Sequence, residues 1–582
     1  MRRRPTVLAA LLALAVIPYF IDLGGSAIWD ANEAFYAETP REMMERGDYI
    51  TPSFNFEPRL NKPVLSYWIV AAFYHLFGVS VGVQRIPIAI GGVILIATAF
   101  LLARAMAPAV RQADQEMEDV PAGAADLRTE SALWAALGLA VTPRLLMFAR
   151  RIFIDIYISM FMGLTLLFFA LAERYPERRR LFLISMYVAA GLGVLTKGPV
   201  AVVLPALAFG IYLLVYRELP RIKSLMLPAG AAIVIAIVAP WCVALYLRHG
   251  WAPLAEFIVG ENVARYTSGL GIVSNRGPLF YVPVLLSDSF PWSMFLFVAA
   301  GRWWASRRGT AHAAAQDPVV AAASRTSVPA ANRLRTLMFI WIGVIVGFFS
   351  LSAGKQDLYI FPVVPAVAAL AGVTLAAGLT SGVRWTSVAV GAIVSIAGAG
   401  VLYLFGPGAS VYGLAGALAM GVMALLGGLF VIAAALMRRT RAALVAIVVT
   451  FIVLDWVFVL RVLPDFERYK PAPGFAETLA PRLQPDDLLL TFDEALPSLV
   501  FYLHRHIDPF FLEDEVIERF GTGKKVYLIV SEENYRRLQT RLGEPTCIID
   551  RRPTFDVKLK NMINEDSLPH LLLITNRCIP NP

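Results

Sequence analysis

A chain of 582 residues of which 58% are hydrophobic and 16% charged, with mean hydropathy +0.63, lies far outside the range of soluble globular domains and is that of a polytopic membrane protein. Its net charge of +9 sits in short clusters between apolar runs, a pattern set by membrane topology and not by a nucleic-acid groove. Six scattered histidines show no metal-ligand spacing, so neither a metal nor any other cofactor is expected.

MRRR followed by the apolar run 6–23 reads as a signal peptide or a first transmembrane helix; its length and the many later spans favour the helix. The arginines then place the N-terminus in the cytoplasm and the loop 24–83 outside. That loop opens with Trp29-Asp30-Ala31-Asn32-Glu33 and closes with Asn61-Lys62-Pro63. Between them, Ala34, Tyr36, Ala37, Pro40, Met43 and Met44 recur at helical spacing while Glu38, Arg41, Glu42 and Glu45 fill the other positions. The spacing predicts an amphipathic helix lying on the bilayer surface, with residues 64–77 as a second one. The loop reads as the site of chemistry.

Further spans are expected at 84–105, 131–148, 157–173, 181–196, 199–216, 224–246, 278–301, 335–352, 360–379, 385–405, 412–437 and 441–463, about thirteen with the first. Alternate loops carry the arginines: 104–128, 174–180, 217–223, 302–335, Arg384 and 438–441, all on the side of MRRR. Residues 106–130 and 303–333 are expected to be flexible loops. After Leu463 the composition becomes that of a soluble domain, giving two domains, 1–463 and 464–582. Strands are expected in DDLLLTFD, KKVYLIVS and PHLLLITNR and helices in LPSLVFYLHR and EENYRRLQTRL, a small α/β sheet without hairpin signals, phosphate loop or nucleophile elbow. Of the three cysteines, Cys242 lies in a span, while Cys547 and Cys578 can pair if their domain faces an oxidising space.

With this topology the unusual polar groups collect on the outer side. Asp30, Asn32, Glu33 and Lys62 lie in the first loop, Asp155 between the third and fourth spans, and Lys197 in the turn Thr196-Lys197-Gly198-Pro199. Glu261, Asn262, Arg265, Tyr266, Asn275 and Arg276 lie after the seventh span, and Lys355, Gln356, Asp357 and Tyr359 after the ninth. Basic groups at the bilayer edge suit a lipid-linked phosphate, and one or two carboxylates suit a base that deprotonates an acceptor attacking a sugar carbon. Each also has a plainer role. Asp155 can cap a helix or pair with Arg150 or Arg151, Asp30 and Glu33 can cap the surface helix, and Lys62, Lys197 and Lys355 can snorkel to headgroups. Trp29, Tyr67, Trp68, Trp251 and Trp292 are expected as interfacial anchors.

The stretches WDANEAFYAETPREM, RGDYITPSFN, NKPVLSYW and HLFG, then LTKGP at 195–199, ENVARY at 261–266, NRGP at 275–278, FPW at 290–292 and FSLSAGKQDLYIFPVVPAVAAL at 349–370, resemble bacterial lipid A aminoarabinose transferases and the wider protein O-mannosyltransferase-like group. The resemblance implies a GT-C fold and an inverting glycosyltransferase of the bacterial inner membrane. It would take a sugar from undecaprenyl phosphate at the periplasmic face and pass it to a lipid, glycan or protein acceptor, as 4-amino-4-deoxy-L-arabinose is passed to lipid A. It also implies an acidic pair at Asn32 and Glu33, a donor-phosphate lysine at Lys62 and a second acid at Asp155. Asn32 stands where many relatives have aspartate, and an amide cannot serve as a base. Asp30, with Glu33 next, is therefore expected to take that role, or the acceptor is an already ionised phosphate. The expected set is Asp30, Glu33 and Asp155 as catalytic acids, Lys62, Lys197, Arg265 and Lys355 on the donor phosphate, and Asn32, Tyr36, Tyr67 and Tyr359 on substrate. The rival reading is a transporter or flippase of an anionic lipid-linked sugar, for which the same cations would form an export gate.

Overall fold

The computed structural model describes residues 3–30, 32–107, 124–151, 154–269, 276–316, 329–406, 411–543, 545–555 and 568–578, without the side chains of 3, 4, 32, 124–126 and 309–316. Among the described residues nine helices are long and apolar enough to cross a membrane, and two bent helix pairs raise this to eleven. The chain is a multi-pass membrane protein. Two of the expected spans are the shorter apolar helices Pro5–Tyr19 and Val200–Val215. The bent pairs are Leu127–Ala140 with Pro143–Ala149, at 63°, and Pro278–Asp288 with Trp292–Arg308, at 109°. Proline at the first position of Pro143–Ala149 removes a helical donor where the first pair bends.

Two deeply buried spans, Ile154–Arg174 and Asp357–Ala376, stand at the centre of the bundle, and both begin beside the cavity described below. At the periphery, Ser381–Phe405 packs on Ala415–Leu436 through small residues. A Cβ added to Gly428 would lie 2.5 Å from the carbonyl oxygen of Gly391, so the two backbones meet directly.

The loop 24–83 departs from expectation. Its helix, Asn32–Arg46, does not lie on a surface: Glu33, Glu38 and Glu42 are as buried as Ala34 and Met43. It packs on the helix Leu65–Phe77 on one side and on the C-terminal helix Ser498–Leu503 on the other. Spacing identified the apolar face but not that the polar face is covered too. Between the helices a two-residue turn, Asn55-Phe56, with φ of 58° and 66°, joins strands β1 (Ser53–Phe54) and β2 (Glu57–Pro58) into a small hairpin.

The C-terminal sheet has β3 (Leu488–Phe492), β4 (Asp508–Phe510), β5 (Val526–Ser531), β6 (Cys547–Pro553) and β7 (His570–Thr575) in the order β4-β3-β5-β7-β6. β3 runs parallel to β4 and β5, and β7 runs antiparallel to β5 and β6. Leu489, Tyr527, Ile529, Leu571 and Leu573 share one core with the helices Pro471–Leu479 and Ser498–Leu503; Leu490, Leu528, Val530, Leu572 and Ile574 share another with Glu513–Phe520 and Glu532–Leu538. Strands β4 and β6 and the helices 471–479 and 513–520 were not anticipated, and β6 and β7 are consecutive antiparallel neighbours despite the missing turn signal. Cys547 and Cys578 form a disulfide.

Other expectations need adjustment. Of the anticipated loops 106–130 and 303–333, residues 108–123 and 317–328 fall outside the described residues, but 124–130, 303–316 and 330–333 belong to neighbouring helices. Of the expected interfacial aromatics, Tyr67 and Trp292 are buried in the core, whereas Trp251 is exposed.

Candidate active site

A cavity of about 480 Å³ lies where the starts of Ile154–Arg174 and Asp357–Ala376 meet the first loop and the segment 256–267. Its wall is largely aliphatic, with Ile158, Met162, Val200, Val203 and Leu204 from the spans. Into it project Lys62, Lys197 and Arg265 and two carboxylates, Asp155 and Glu261, leaving one positive charge in excess.

Local sequence explains the convergence. Lys62 precedes Pro63 and the helix Leu65–Phe77, so the chain turns at the cavity's edge. Asp155 stands in the first turn of its span. Lys197 ends the helix Arg179–Lys197, where Gly198 at φ +109° lets the chain reverse. A Cβ at Gly198 would come within 2.9 Å of the Phe257 ring, so glycine also admits the segment that carries Glu261 and Arg265. In that segment, a π-helix over Glu256–Ala264, the Asn262 amide donates to the Phe257 carbonyl at 2.7 Å.

The charges are paired in advance of any ligand. Lys62 bonds Glu261, which also accepts from Arg265 at 2.9 Å, and Lys197 bonds Asp155. The Lys197 ammonium stands 5.2 Å from the centre of the Tyr359 ring. Burial pulls Lys62 down to about 8, against its bond to Glu261 and helped by the nearby charges of Arg265 and Lys197.

Other residues singled out in the sequence lie outside this lining. Asp30 accepts from the backbone N–H of Ser498 at 2.9 Å, so it caps the C-terminal helix Ser498–Leu503 and not the helix that follows it. Burial raises its carboxyl above the usual range, with the Ser498 bond and Lys470 opposing. Glu33 is held by Arg85, Nε to Oε1 at 2.7 Å and Nη2 to Oε2 at 3.0 Å, and also accepts from the Trp29 N–H at 2.9 Å. Neither carboxylate faces the cavity. Lys355 is buried with its ammonium on the Ser352 carbonyl, while its own turn is held by Arg276 on the Lys355 carbonyl at 3.2 Å and Tyr281 on the Gln356 carbonyl at 2.9 Å. Tyr36 and Tyr67 stack at 5.3 Å behind the site, and Arg59 donates to the Tyr67 hydroxyl at 3.1 Å. Burial raises both phenols, and that of Tyr36 is raised further by the Tyr67 phenol beside it and then by Asp155 and Glu261, with Arg59 opposing. The Asn32 side chain and Asn275 lie outside the described residues.

Two residues carry more than the sequence reading gave them. Glu261 ties two cations together, and its i, i+4 spacing to Arg265 was the available signal. Arg85, fully buried, also donates to the carbonyls of Leu23, Ser26 and Ala27 and to the Ser26 hydroxyl. Its signal was an arginine inside an expected span. Around it, Trp29 is held between two cations, Arg151 at 3.5 Å and Lys470 at 4.3 Å from the ring centre.

Residues 125–243 match the family model for dolichyl-phosphate-mannose-protein mannosyltransferase. The chain is 30% identical over 364 residues, 62% of each chain, to an uncharacterized protein of Aquifex aeolicus. It is 28% identical over 392 residues to the undecaprenyl phosphate-alpha-4-amino-4-deoxy-L-arabinose arabinosyl transferase of Pseudomonas aeruginosa strain LESB58, covering 66% of this chain and 62% of that one. The match thus spans less than two thirds of either relative's length. Among solved structures it superposes on ArnT from Cupriavidus metallidurans bound to undecaprenyl phosphate with a TM-score of 0.76 at 20% identity, covering all of both chains, and on the apo form of that protein with 0.74 at 21%, covering 99% of each. The chain has the GT-C fold of those proteins.

Proposed function

We propose that this protein transfers a sugar from an undecaprenyl (polyprenyl) phosphate donor to an acceptor at the outer face of a bacterial inner membrane, inverting the anomeric carbon. The observation that carries this reading is the joining of Lys62, Lys197 and Arg265 with Asp155 and Glu261 in a cavity otherwise walled by aliphatic side chains of the spans. A prenyl chain fits along Ile158, Met162, Val200, Val203 and Leu204, which sets its phosphate among the cations. The acceptor oxygen attacks the anomeric carbon, the bond from that carbon to the phosphate oxygen breaks, and the departing phosphate keeps the electron pair under the three cations.

The arriving phosphate takes Lys197 from Asp155 and Lys62 from Glu261, which frees Asp155 and leaves Glu261 with Arg265. Asp155 then orients the acceptor and receives its proton where the acceptor is a hydroxyl. Neither Asp30 nor Glu33 lines the cavity, which favours an acceptor already ionised, such as a phosphate of lipid A, that needs no strong base. The names of the arabinosyl transferase relatives suggest 4-amino-4-deoxy-L-arabinose as the sugar. In this reading residues 1–463 form the transferase domain with the N-terminus in the cytoplasm, and 464–582 a periplasmic domain. The Cys547–Cys578 disulfide supports an oxidising side for it.

The test is turnover in lipid nanodiscs with labelled undecaprenyl phosphate sugars and lipid A. Wild type should release undecaprenyl phosphate and yield sugar-modified lipid, and Asp155→Asn should be slower by about 10²-fold, because the acceptor and Lys197 lose the carboxylate that orients them. A donor that crosses a vesicle bilayer unchanged would establish the transporter instead.

Lys62 also sets a pH dependence. It must be protonated to attract phosphate, and its pKa in the free enzyme is about 8. Thus kcat/KM should hold steady below that value and fall about tenfold per pH unit well above it. Lys62→Arg should remove this limb from whatever activity it retains; a wild-type profile level from pH 7 to 10 would refute the assignment.

A further inference from the structure

A second basic cavity lies at the other end of the bundle. It is small, about 40 Å³, and lined by Arg302, Trp303, Arg335, Phe339, Val373 and Thr374 among others. Arg335 stands 13 positions before Phe348, which lines the catalytic cavity on the same helix, so about 20 Å of helical rise separates the two.

Among the described residues its arginines lack the carboxylate partners that Arg85 and Arg144 possess. Arg302 donates to the Thr374 carbonyl at 2.7 Å and reaches the Gly378 carbonyl at 3.5 Å. Arg335 reaches, among the described residues, only the Asn332 side-chain oxygen, at 3.5 Å, and its buried Nε has no hydrogen-bond partner there. Among the described residues no carboxylate pairs with either, although two guanidinium groups border one small cavity. Two like charges at a common cleft favour an anion between them, and the guanidinium fork matches phosphate oxygens.

The surroundings indicate which anion. Trp303 donates to the Thr336 hydroxyl at 3.0 Å, and its ring lies 5.2 Å from that of Phe339. Arg307 stands over Trp303 at 4.9 Å, Arg308 over Trp304 at 5.1 Å and Arg384 over Trp385 at 5.3 Å, with Trp304 and Trp385 about half exposed. A band of arginine and tryptophan at the ends of spans is the chemistry of the headgroup layer. Phe339, Leu370 and Val373 continue from it as an apolar floor fit for acyl chain.

We propose that Arg302 and Arg335 bind the phosphate of an anionic phospholipid in the leaflet opposite the catalytic cavity. The lipid supplies the counter-charge missing between the helices Leu296–Gln316 and Ala330–Leu351 and the end of Val364–Ala376, and so fastens these three together.

Native mass spectrometry and thermal melting of the full chain in nanodiscs test this. With phosphatidylglycerol mixed into phosphatidylcholine, wild type should retain phosphatidylglycerol and melt higher than in phosphatidylcholine alone. Arg335→Gln should weaken retention about fivefold, and Arg302→Gln with it should weaken it further. Arg302 holds a helix end, so Arg335→Gln is the cleaner variant: its melting temperature in pure phosphatidylcholine should equal that of wild type. Arg335→Lys should keep most of the binding. Equal retention of phosphatidylglycerol by wild type and Arg335→Gln would overturn the proposal. So would millimolar inorganic phosphate raising the melting temperature as much as the lipid does, since the site would then serve a free anion.

Discussion

Replacing Lys62 with alanine is expected to lower kcat/KM for a polyprenyl-phosphate sugar by about 10²–10³-fold, the usual cost of removing one donor aimed at developing charge in a water-poor site. Lys62 is mostly buried, joined to Glu261, and placed where a leaving phosphate would sit with Arg265 and Lys197. Its loss removes a cation and leaves Glu261 with Arg265 alone, so the positive excess of the cavity vanishes. The charge grows on the phosphate oxygen as the bond to sugar breaks, so the loss should appear in kcat as well as in KM. Single-turnover measurements on the saturated enzyme check this. If Lys62→Ala changes only KM, the lysine recruits donor without assisting the reaction.

Arg85→Ala should have the largest effect on stability. The pair with Glu33 is almost wholly buried, at 1% exposure for each side chain, and removing one partner of such a pair costs about 3–5 kcal/mol. The same guanidinium satisfies Leu23, Ser26 and Ala27, so alanine would strip three further oxygen acceptors, the Leu23 and Ser26 carbonyls and the Ser26 hydroxyl, of this donor and leave the Ala27 carbonyl to Lys470, around a cavity. The variant is expected to be recovered poorly from membranes and to melt well below wild type in a tryptophan-fluorescence scan. Adding Glu33→Ala should restore part of the loss, because the stranded carboxylate goes too. A variant that melts with wild type but has lost turnover would make the pair part of the chemistry and not of the frame.

The spans were legible in the sequence because a continuous apolar run of the required length has few alternatives in this composition. Lys62, Asp155, Lys197 and Arg265 could be selected because charges beside apolar runs are conspicuous. Asp30 and Lys355 are equally conspicuous, yet they serve backbone groups, and nothing in their neighbours announces that. The partner of Asp30 is 468 positions away, at Ser498. Helix Asn32–Arg46 escaped for the same reason: its spacing describes one covered face, and the second cover arrives from the far end of the chain. Arg85 hid inside a span, where the apolar reading absorbed it.

That second cover binds tightly to the loop. The Ile28 N–H donates to the Tyr502 hydroxyl at 2.9 Å, Arg41 to the Phe501 carbonyl at 3.2 Å, Asn55 to the Ile507 carbonyl at 2.8 Å, and Lys470 to the Ala27 carbonyl at 2.9 Å. During translation, the N-terminal helices enter the bilayer long before residues 498–507 have left the ribosome. The loop therefore gains these supports only after the membrane helices have been made, and a nascent chain interrupted before residue 498 would leave helix Asn32–Arg46 covered on one face alone.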